Sequence, residues 1–398
     1  MKLARRLSVI EPSPTLAVSA KAAKLKAQGI DVVSFGAGEP DFDTPAHIKE
    51  AAKRALDAGA TKYTLVEGTV PLRKAVAKWI GDAHGIAIDP SEVIVSSGAK
   101  QSIFNVVHAL IDEGDEVIIP TPAWVSYNDI VKMAGGKPVN VPTKAEENFQ
   151  VRPEDVAKAI TPRTRMILVC SPSNPTGAIY DEATLRALAK LAVDKDVWLL
   201  TDDIYRTLIY GDGKFFQPAT ISPETRAHTI IIDGVSKAFA MTGWRVGFTV
   251  APKPVVEAMA TIQGQSTTHA ASVAQAAAQA ALEGPTDELE KMRLEFDKRR
   301  KVMVSRLREI AGVKCVEPKG AFYAFPDLSA FVGKKTPEGK TIENDVQLCE
   351  WLIDAAKVAV VMGSAFHAPG FVRLSYATSM KNVEEGVRRM AEWLPKLT

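Results

Sequence analysis

The stretch Met166–Asp202, MILVCSPSNPTGAIYDEATLRALAKLAVDKDVWLLTD, indicates the fold of this protein. A short apolar run leads into a turn that contains proline and glycine, and a helical pattern then leads to a second apolar run. Two buried strands joined by a helix are typical of neighbouring parallel strands, because a parallel pair needs a long crossover connection. The stretch therefore predicts a βαβ unit.

The same alternation recurs on both sides of this unit. Helical patterns such as Ser102–Ile111 and Glu182–Ala192 separate the apolar runs. The runs predicted to be buried strands are Val93–Ser96, Glu116–Pro120, Met166–Cys170, Trp198–Thr201, Thr229–Asp233 and Gly247–Val250. Alternating strands and helices predict an α/β fold with a mostly parallel sheet that helices cover on both faces.

The pattern changes after about residue 290. A long charged helix, Asp287–Ile310, precedes shorter predicted strands at Ala321–Phe325, Val358–Val361 and Val372–Ser375. We therefore expect a large domain over residues 44–290 and a smaller α+β domain over residues 291–398. Residues 1–43 are expected to form an N-terminal arm that is part of the small domain.

Composition and charge argue against several classes of protein. The 398 residues include 49 basic and 47 acidic ones, and the net charge of +2 gives no reason to expect nucleic acid or an anionic membrane as partner. The most basic run, Arg299-Arg300-Lys301, is interpreted as a solvated helix face. No run of 18 apolar residues exists, so no segment is predicted to span a membrane.

The cysteines indicate neither a disulfide framework nor a metal site. Cys170, Cys315 and Cys349 lie far apart and form no C-x-x-C pair. The segment Met1–Ile10 is basic but is not followed by a long apolar stretch, so it is not predicted to be a secretory signal. These features predict a cytoplasmic protein without a bound metal.

Polar residues follow several predicted strands, at the edge of a parallel sheet where ligands bind. Asp202 directly follows one strand, and Asn174 lies in the turn after another. Asp202 could hold a metal, act as a base or bind a cofactor nitrogen, or it could only cap a helix. Asn174 could face the same cleft, or it could only belong to its turn.

A lysine and an arginine have unusual surroundings. Lys237 follows the strand Thr229–Asp233 amid Gly, Val, Ala and Phe, where burial would lower its pKa and make it nucleophilic. A lone lysine is more often a solvated surface charge. Arg373 lies on a predicted strand, and a half-buried arginine usually holds an anion. Its planar guanidinium matches a carboxylate, which accepts two hydrogen bonds.

The turn Ser96–Lys100 (SSGAK) joins a predicted strand to a predicted helix, and N–H groups at such a helix start bind anions. The turn matches neither G-x-G-x-x-G nor a Walker loop, which disfavours nicotinamide and nucleotide triphosphates. An aromatic platform, Trp124, and a phenol, Tyr205, complete the set. Together these groups are what pyridoxal phosphate bound to an amino acid requires.

The sequence resembles the class I pyridoxal phosphate-dependent aminotransferases of fold type I, most closely their bacterial aspartate aminotransferase subgroup. The resemblance covers nearly the whole chain. It rests on Ala37–Phe42 (AGEPDF), Lys62–Thr64 (KYT), Ser171–Gly177 (SPSNPTG), Asp202–Tyr205 (DDIY), Ser236–Gly247 (SKAFAMTGWRVG) and Arg373–Tyr376 (RLSY). It implies a large domain with a mostly parallel seven-stranded sheet, a smaller α+β domain, and a homodimer with shared active sites.

The resemblance also implies a role for each matching residue. Lys237 would bind the cofactor as a Schiff base and then carry the substrate proton, in a ping-pong reaction. The residues implied to bind the cofactor are Tyr63 (reaching the neighbouring subunit's phosphate), Gly98, Ala99, Lys100, Trp124, Asn174, Asp202, Tyr205, Ser236, Lys237 and Arg245. The residues implied to bind the substrate are Thr15, Gly38, Lys100, Trp124, Asn174 and Arg373.

Five of these residues have implied roles at the cofactor ring or the substrate carboxylate. Asp202 would keep the pyridine nitrogen protonated, and Asn174 and Tyr205 would bond the ring oxygen. Arg373, together with Gly38, would bind the substrate α-carboxylate.

The implied substrate depends on a lysine. Lys100, helped by the Thr15 hydroxyl, would bind the distal carboxylate of a dicarboxylic substrate, or would only balance the phosphate charge. We therefore expect transfer of the amino group from L-aspartate to 2-oxoglutarate.

Three positions depart from the family pattern. Gly234 replaces a Ser or Thr that would add a hydroxyl at the phosphate, and Ala123 replaces an aromatic residue, which would widen the pocket. Glu11 stands where relatives that use prephenate tend to carry a basic residue, so a prephenate activity is not expected.

Alternative functions remain open on this scaffold. One is a broad-specificity or aromatic amino-acid aminotransferase, and another is a pyridoxal phosphate-dependent lyase with the same cofactor residues. A third is a non-catalytic ligand sensor. The chain begins directly with the predicted arm, so an appended DNA-binding domain is not expected.

Overall fold

The computed structural model describes residues 3–398, except for the Arg5 side chain. Met1 and Lys2, which begin the predicted arm, lie outside the described residues. The α-helices are α1 (Pro14–Ala27), α2 (Ala46–Asp57), α3 (Val70–His84), α4 (Ala99–Leu110), α5 (Ser126–Met133), α6 (Pro153–Ala159), α7 (Glu182–Lys195), α8 (Pro223–Ala227), α9 (Val235–Ala238), α10 (Lys253–Gly264), α11 (Ser272–Glu283), α12 (Asp287–Arg308), α13 (Asp345–Trp351) and α14 (Met380–Trp393). The strands are β1 (Val33–Ser34), β2 (Val93–Ser96), β3 (Glu116–Thr121), β4 (Lys137–Pro142), β5 (Thr164–Cys170), β6 (Trp198–Asp202), β7 (Thr229–Gly234), β8 (Gly247–Val250), β9 (Tyr323–Ala324), β10 (Val358–Ala359), β11 (Val361–Met362) and β12 (Val372–Ser375).

The large sheet has seven strands in the order β2-β8-β7-β6-β5-β3-β4. The pairs from β7 through β4 are parallel, and β8 runs antiparallel to both β2 and β7. The predicted α/β fold with a mostly parallel seven-stranded sheet is thus confirmed. The parallel strands bring their carboxyl ends to one edge of the sheet, which is where ligands of such folds bind.

Side chains of the central strands alternate between two layers of helices. In β3, Val117 belongs to the same hydrophobic cluster as Ile103 of α4, whereas Ile118 belongs to the cluster of Leu185 in α7. Successive strand residues point to opposite faces, so a continuous apolar run fits a strand that is covered on both sides. The six strands predicted from such runs all appear in the sheet.

The seventh strand, β4, was missed by sequence reasoning. It lies at the edge of the sheet, pairs only with β3 among the described residues, and has several exposed side chains. Its sequence, KPVNVP, contains two prolines, and proline normally argues against a strand except at an edge. Because its side chains are mostly exposed or half-buried, β4 has no continuous apolar run to reveal it.

Helix α7 illustrates how local sequence sets the ends of a crossover helix. The Asp181 side chain accepts a hydrogen bond from the Thr184 N–H at 2.7 Å, and Glu182 follows in the first turn. Both carboxylates favour the helix N-terminus, where N–H groups are unpaired and the helix dipole is positive. The helix therefore begins where sequence reasoning placed it.

Short strands form two further sheets beside the large one. Strands β11, β12 and β9 form an antiparallel sheet, and β1 pairs in parallel with β10 through Val33 and Val358. The stretch Val358–Val361, predicted as one strand, is divided between β10 and β11, which belong to different sheets. Residues of the N-terminal arm thus pair with a strand of the C-terminal part, while the proposed domain boundaries at residues 43 and 290 stay predictions.

The basic run on α12 corrects one expectation. Arg299 and Arg300 are buried, so their interpretation as a solvated face is wrong, while Lys301 is exposed as expected. Arg299 pairs with Asp41 at 2.7 Å, and Arg300 pairs with carboxylates that include Asp297 at 2.7 Å. Because Asp41 is remote in sequence, the local charge pattern could not reveal that Arg299 has a partner.

Two expected absences concern the described residues alone. In residues 3–398, no helix combines the length and apolar character needed to cross a bilayer. The same part of the chain contains no cluster of His, Cys, Asp or Glu side chains arranged to hold a metal ion.

Candidate active site

A cleft of about 510 Å³ opens at the carboxyl ends of β5, β6 and β7. Asn174 follows β5, Asp202 ends β6, and Lys237 lies on α9 directly after β7, and all three side chains line the cleft. The edge of the sheet that topology selects therefore carries the groups that sequence reasoning chose. Segments remote in sequence, including Ala37–Glu39 and Arg373, close the cleft from the other side.

The Lys237 amine is the central group of the cleft. Its Nζ donates a hydrogen bond to the Gly38 carbonyl at 2.7 Å. Burial lowers the pKa of Lys237 to about 8, while the nearby Glu39 carboxylate acts in the opposite direction. A lysine with such a pKa is partly neutral near physiological pH, and the neutral amine is the form that acts as a nucleophile or base.

Asp202 lies at the floor of the cleft and is almost fully buried. Its Oδ2 accepts a hydrogen bond from the Tyr127 hydroxyl at 2.6 Å. Burial raises the pKa of Asp202 to about 6, and the bond from Tyr127 opposes this rise. A carboxylate held in this way has a strong preference for a positively charged partner in the cleft.

Arg373 provides a buried cation at one side of the cleft. Its Nη1 donates to Asn174 Oδ1 and its Nη2 donates to the Gly36 carbonyl, both at 3.0 Å. Its Nε is buried and has no hydrogen-bond partner among the described residues. Burial lowers the pKa of Arg373, while Tyr323 and Tyr205 act in the opposite direction. None of the salt bridges of the described residues includes Arg373. A substrate carboxylate would relieve this unpaired charge.

The start of α4 forms an anion-binding corner. Gly98 precedes the helix with φ of +90°, and a Cβ atom there would lie only 2.4 Å from Arg245 Nη2. Arg245 lines the cleft and donates to the Thr242 carbonyl at 2.9 Å. Ala99 and Ser236 line the same corner. The first N–H groups of a helix have no intrahelical acceptor, so this corner suits a phosphate.

Lys100 lines the cleft on the next position of α4. Its Nζ lies 4.8 Å from the centre of the Trp124 ring, in a cation–π contact. Burial and the neighbouring Arg245 lower the pKa of Lys100. None of the salt bridges of the described residues includes Lys100, so this cation also faces the cleft without a carboxylate partner. Thr15, in the first turn of α1, lines the cleft as well.

Tyr205, Gly98 and Tyr63, which are also predicted site residues, differ in their positions relative to the cleft. Tyr205 is buried, lines the cleft, and contacts the Tyr323 hydroxyl. Gly98 supports Arg245 rather than lining the cleft itself. Tyr63 lies outside the cleft of its own chain with 89% of its surface exposed, and it makes an edge-to-face contact with His269. Its predicted role in a neighbouring subunit stays a prediction.

Sequence reasoning missed several residues of the cleft. Tyr127, Cys170, Tyr323, Glu39 and Thr242 all line it. Tyr127 lies in the first turn of α5, and its ring makes an edge-to-face contact with Trp124, which precedes the helix. Glu39 lies inside a quoted motif, and its side chain accepts a hydrogen bond from Thr242 at 2.7 Å. Nothing local distinguishes Tyr323 from a core tyrosine.

All three departing positions lie outside the cleft lining, and Gly234 is the last residue of β7. Ala123 is buried in the core and its N–H donates to the Phe366 carbonyl at 3.2 Å. Ala123 does not itself line the cleft, so the widening of the pocket expected at this position stays a prediction. Glu11 is exposed and precedes α1.

The groups present fit pyridoxal phosphate joined to an amino acid. The amine of Lys237 matches the aldehyde carbon, the Asp202 carboxylate matches a protonated ring nitrogen, and the α4 corner matches the phosphate. The unpaired Nε of Arg373 matches a carboxylate. These groups enclose a single cleft large enough for both molecules.

A family model described as aminotransferase class I and II matches residues 30–390 of the chain. Among curated proteins, an aspartate/prephenate aminotransferase of Nitrosomonas europaea is 48% identical over 99% of this chain and 100% of its own length. An aspartate aminotransferase of Geobacillus stearothermophilus is 45% identical over 99% of each chain.

Solved structures are similar over the same length. An aspartate aminotransferase of Rhizobium meliloti superposes with a TM-score of 0.96 at 44% identity, and the match covers 100% of both chains. A Thermus thermophilus aspartate aminotransferase with maleate superposes with a TM-score of 0.92 at 44% identity, covering 98% of this chain and 99% of that one.

Proposed function

The chain belongs to the aminotransferase class I and II family, and from this premise we propose that it transfers the amino group of L-aspartate to 2-oxoglutarate. Pyridoxal phosphate is the proposed cofactor, held by Lys237. The products are oxaloacetate and glutamate. Curated relatives at 43–48% identity carry aspartate aminotransferase in their names, which supports this choice of substrate.

The observation that carries the proposal is a pair of unpaired cations on the walls of the cleft. Arg373 and Lys100 both line the cleft, and neither pairs with a carboxylate of the described residues. A dicarboxylic amino acid has one carboxylate for each cation, whereas a neutral or aromatic amino acid satisfies Arg373 alone. The Thermus thermophilus relative whose structure includes maleate, itself a dicarboxylate, supports the same assignment.

Lys237 is the residue that moves the substrate proton. Bound pyridoxal phosphate supplies a conjugated ring that accepts negative charge from the substrate Cα. The Lys237 amine, with its pKa of about 8, is neutral often enough to take the Cα proton and acidic enough to return it. Its hydrogen bond to Gly38 places the amine beside the segment that borders the substrate carboxylate.

Other residues position the reactants and set charges. Asp202 would keep a proton on the ring nitrogen of bound pyridoxal phosphate, and Tyr205 and Asn174 would donate hydrogen bonds to its ring oxygen. Trp124 would lie against the ring, and Arg373 would hold the substrate α-carboxylate. Arg245, Ser236 and the N-terminus of α4 would hold the phosphate.

The test of the substrate assignment is Lys100→Met, which removes the charge but keeps an apolar side chain beside Trp124. We expect kcat/KM for aspartate to fall by about 10- to 100-fold, the size of one charge-assisted hydrogen bond. The value for phenylalanine should change by less than about threefold, because phenylalanine has no distal carboxylate. Equal losses for both substrates would mean that Lys100 only balances the phosphate charge.

A second candidate function is a broad-specificity or aromatic aminotransferase. It is favoured by the apolar side chains of Leu16, Ile103 and Trp124, which line the cleft around Lys100. Half-reaction rates for a panel of amino acids would decide between the two functions. Adding prephenate as an amino-group acceptor tests the expectation drawn from Glu11. The test is informative because some curated relatives include prephenate in their names and others do not.

The homodimer implied by the family resemblance is part of this proposal, as is the cytoplasmic location expected from the cysteines and the lack of a secretory signal. Leu65 and Val70, which follow Tyr63 within seven positions, have 54% and 45% of their surfaces exposed. Exposed apolar side chains around a residue with an assigned role support a protein interface at this segment.

A further inference from the structure

Tyr323 lies between three parts of the cleft. It belongs to β9, where it is paired with Ser375 of β12. Arg373 lies two residues before Ser375, so its side chain emerges on the same face of the sheet and is a diagonal neighbour of Tyr323. The Arg373 guanidinium accordingly lies 4.5 Å from the centre of the Tyr323 ring. A cation at this distance from a buried ring is held by it.

The other end of Tyr323 contacts the phenol that the proposed function assigns to the cofactor. The Tyr323 and Tyr205 hydroxyl oxygens are 2.9 Å apart, and both side chains are buried. Burial raises the pKa of both phenols, so both hydroxyls keep their protons. Each hydroxyl has a single proton to donate, so one of the two donates to the other.

The direction of this bond follows from the role of Tyr205. If Tyr205 donates its proton to the ring oxygen of the cofactor, it has no proton left for Tyr323 and must accept one from it. Donation from Tyr323 polarises the Tyr205 hydroxyl and makes it a better donor, since hydrogen bonds in a chain strengthen one another.

The surroundings leave the Tyr323 hydroxyl little freedom. A Cβ atom at Gly38 would lie 3.2 Å from it, so the hydroxyl is packed against the backbone whose carbonyl accepts the Lys237 hydrogen bond. The backbone that leads into β9 is also fixed, because the Tyr210 hydroxyl donates to the Ala321 carbonyl.

We propose that Tyr323 is a positioning residue that directs the Tyr205 hydroxyl toward the cofactor and couples it to the carboxylate site at Arg373. This inference rests on the proposed function. Arg373 is linked to both proposed donors at the ring oxygen. It contacts Asn174 directly, and it contacts Tyr323, whose hydroxyl in turn contacts Tyr205. Neutralising Arg373 with a carboxylate therefore changes the donor strength at both.

The expected consequence can be read from the absorbance of the bound cofactor. Donors to the ring oxygen stabilise its anion, which favours loss of the proton from the cofactor–lysine linkage. Weaker donation raises the pH midpoint of the absorbance change. In Tyr323→Phe we expect the midpoint to rise by about half a pH unit, the effect of losing part of one neutral hydrogen bond.

A carboxylate ligand tests the coupling. Maleate has two carboxylates and no amino or keto group, so it can fill the site without reacting. Its binding should raise the midpoint of the wild-type holoenzyme, because it neutralises Arg373 and weakens both donors. In Tyr323→Phe the rise with maleate should be about half as large, since only the Asn174 route remains.

Two further variants serve as controls in the same titration. Tyr205→Phe removes the proposed donor itself and should raise the midpoint more than Tyr323→Phe does. Tyr376→Phe removes a neighbouring buried phenol that donates to a backbone carbonyl, and it should leave the midpoint unchanged. Cofactor content and unfolding temperature are measured for each protein.

The outcomes separate the possible failures. An unchanged midpoint in Tyr323→Phe, or an equal shift in Tyr376→Phe, overturns the role of Tyr323 while leaving the proposed function intact. A wild-type protein that forms no pH-dependent cofactor band overturns the proposed function, and this inference with it. A shift confined to Tyr323→Phe and Tyr205→Phe, together with the smaller maleate response in Tyr323→Phe, supports the coupling.

Discussion

At the scale of one residue, Arg373 combines a proposed role in substrate binding with a cost in folding free energy. It is a buried guanidinium whose hydrogen bonds, within residues 3–398, go to an amide oxygen and a backbone carbonyl and to no carboxylate. Desolvating a charge without an opposite charge is costly, and replacing such a group by an apolar one is often neutral or stabilising. The residue therefore makes sense as half of an ion pair that the substrate completes.

The variant Arg373→Met separates these two effects. We expect kcat/KM for aspartate to fall by at least about 100-fold, because the α-carboxylate loses its charged partner. The unfolding temperature of the cofactor-free protein should stay the same or rise, since a buried unpaired charge is removed. Steady-state kinetics and thermal unfolding measure both quantities.

Arg299→Met is the matched control for this experiment. Arg299 is equally buried, but it pairs with Asp41 at 2.7 Å and Glu295 at 3.0 Å. Its removal leaves carboxylates without their partner, and we expect a loss of about 3 kcal/mol in the free energy of unfolding. If Arg373→Met destabilises the protein as much as Arg299→Met does, Arg373 is a structural residue first.

Lys237 predicts a dependence on pH at the same scale. Its pKa is lowered to about 8 by burial, so the neutral amine that forms the bond with pyridoxal phosphate accumulates as pH rises toward that value. The rate at which the cofactor-free protein binds the cofactor should rise with pH and level off above about 8. Stopped-flow absorbance measures this rate, and a rate that does not change between pH 7 and pH 9 would contradict the assignment.

The stability of the cofactor-free protein should follow the same pKa. Between pH values of about 8 and 10.5, the unfolded chain keeps a proton on Lys237 that the folded chain has lost. The unfolded state then binds more protons, so stability rises with pH across this window. Below about 8 both states are protonated and the cost of burying the charge is fully present. The variant Lys237→Met should lack this increment when unfolding is compared at pH 7.5 and pH 10.

The turn before α4 is the element proposed to bind the cofactor phosphate. Gly98 adopts φ of +90°, and a Cβ there would meet Arg245 Nη2 at 2.4 Å. Gly98→Ala therefore adds backbone strain and also displaces the guanidinium from the anion-binding corner. We expect the Kd for pyridoxal phosphate to rise at least about tenfold, as measured by titration of the cofactor-free protein.

Gly114→Ala separates strain from displacement. Gly114 has φ of +85°, but no atom lies within 4 Å of the place that a Cβ would occupy, so the substitution strains the backbone without a clash. Like Gly98→Ala, Gly114→Ala should lower the unfolding temperature, but it should leave the Kd for pyridoxal phosphate unchanged. If both variants weaken cofactor binding equally, the loss reflects general destabilisation rather than the position of Arg245.

Assembly decides whether the cleft is complete at the scale of the whole molecule. Tyr63 is exposed and lies outside the cleft of its own chain, yet the family resemblance assigns it to a cofactor phosphate. Both statements hold if two chains form a symmetric dimer in which each presents Tyr63 to the other. Chains carrying Lys237→Ala or Tyr63→Ala should then each be impaired when assayed alone.

Mixed dimers test this arrangement directly. In a hybrid of the two variants, one cleft combines an intact Lys237 with an intact Tyr63, and the other cleft has neither. Random reassociation of equal amounts makes half of the dimers hybrids, so activity should recover to about a quarter of the wild-type value. A chain with both substitutions, mixed with either single variant, should not exceed the activity of the singles. Failure of the two singles to complement would place Tyr63 outside the shared site.

The sequence by itself determined the α/β fold, six strands of the large sheet and the residues at their carboxyl ends. The strands could be predicted because a strand that is buried on both faces has a continuous apolar sequence. The site residues could be predicted because parallel strands bring their carboxyl ends to one edge of the sheet. Asn174, Asp202 and Lys237 could be selected in this way. Arg373 could be selected from its place on a predicted half-buried strand, and the motif resemblance added Gly38, Thr15 and the substrate role of Lys100.

Only the tertiary structure decided which side chains meet. Arg373 donates to the Gly36 carbonyl across 337 residues of sequence, and Arg299 finds Asp41 across 258. The Tyr205–Tyr323 contact likewise joins residues 118 positions apart. A buried tyrosine or arginine looks the same in sequence whether it fills a core or faces a cleft, because its role depends on partners that folding supplies. For that reason Tyr323 and the buried state of Arg299 emerged only from the assembled molecule.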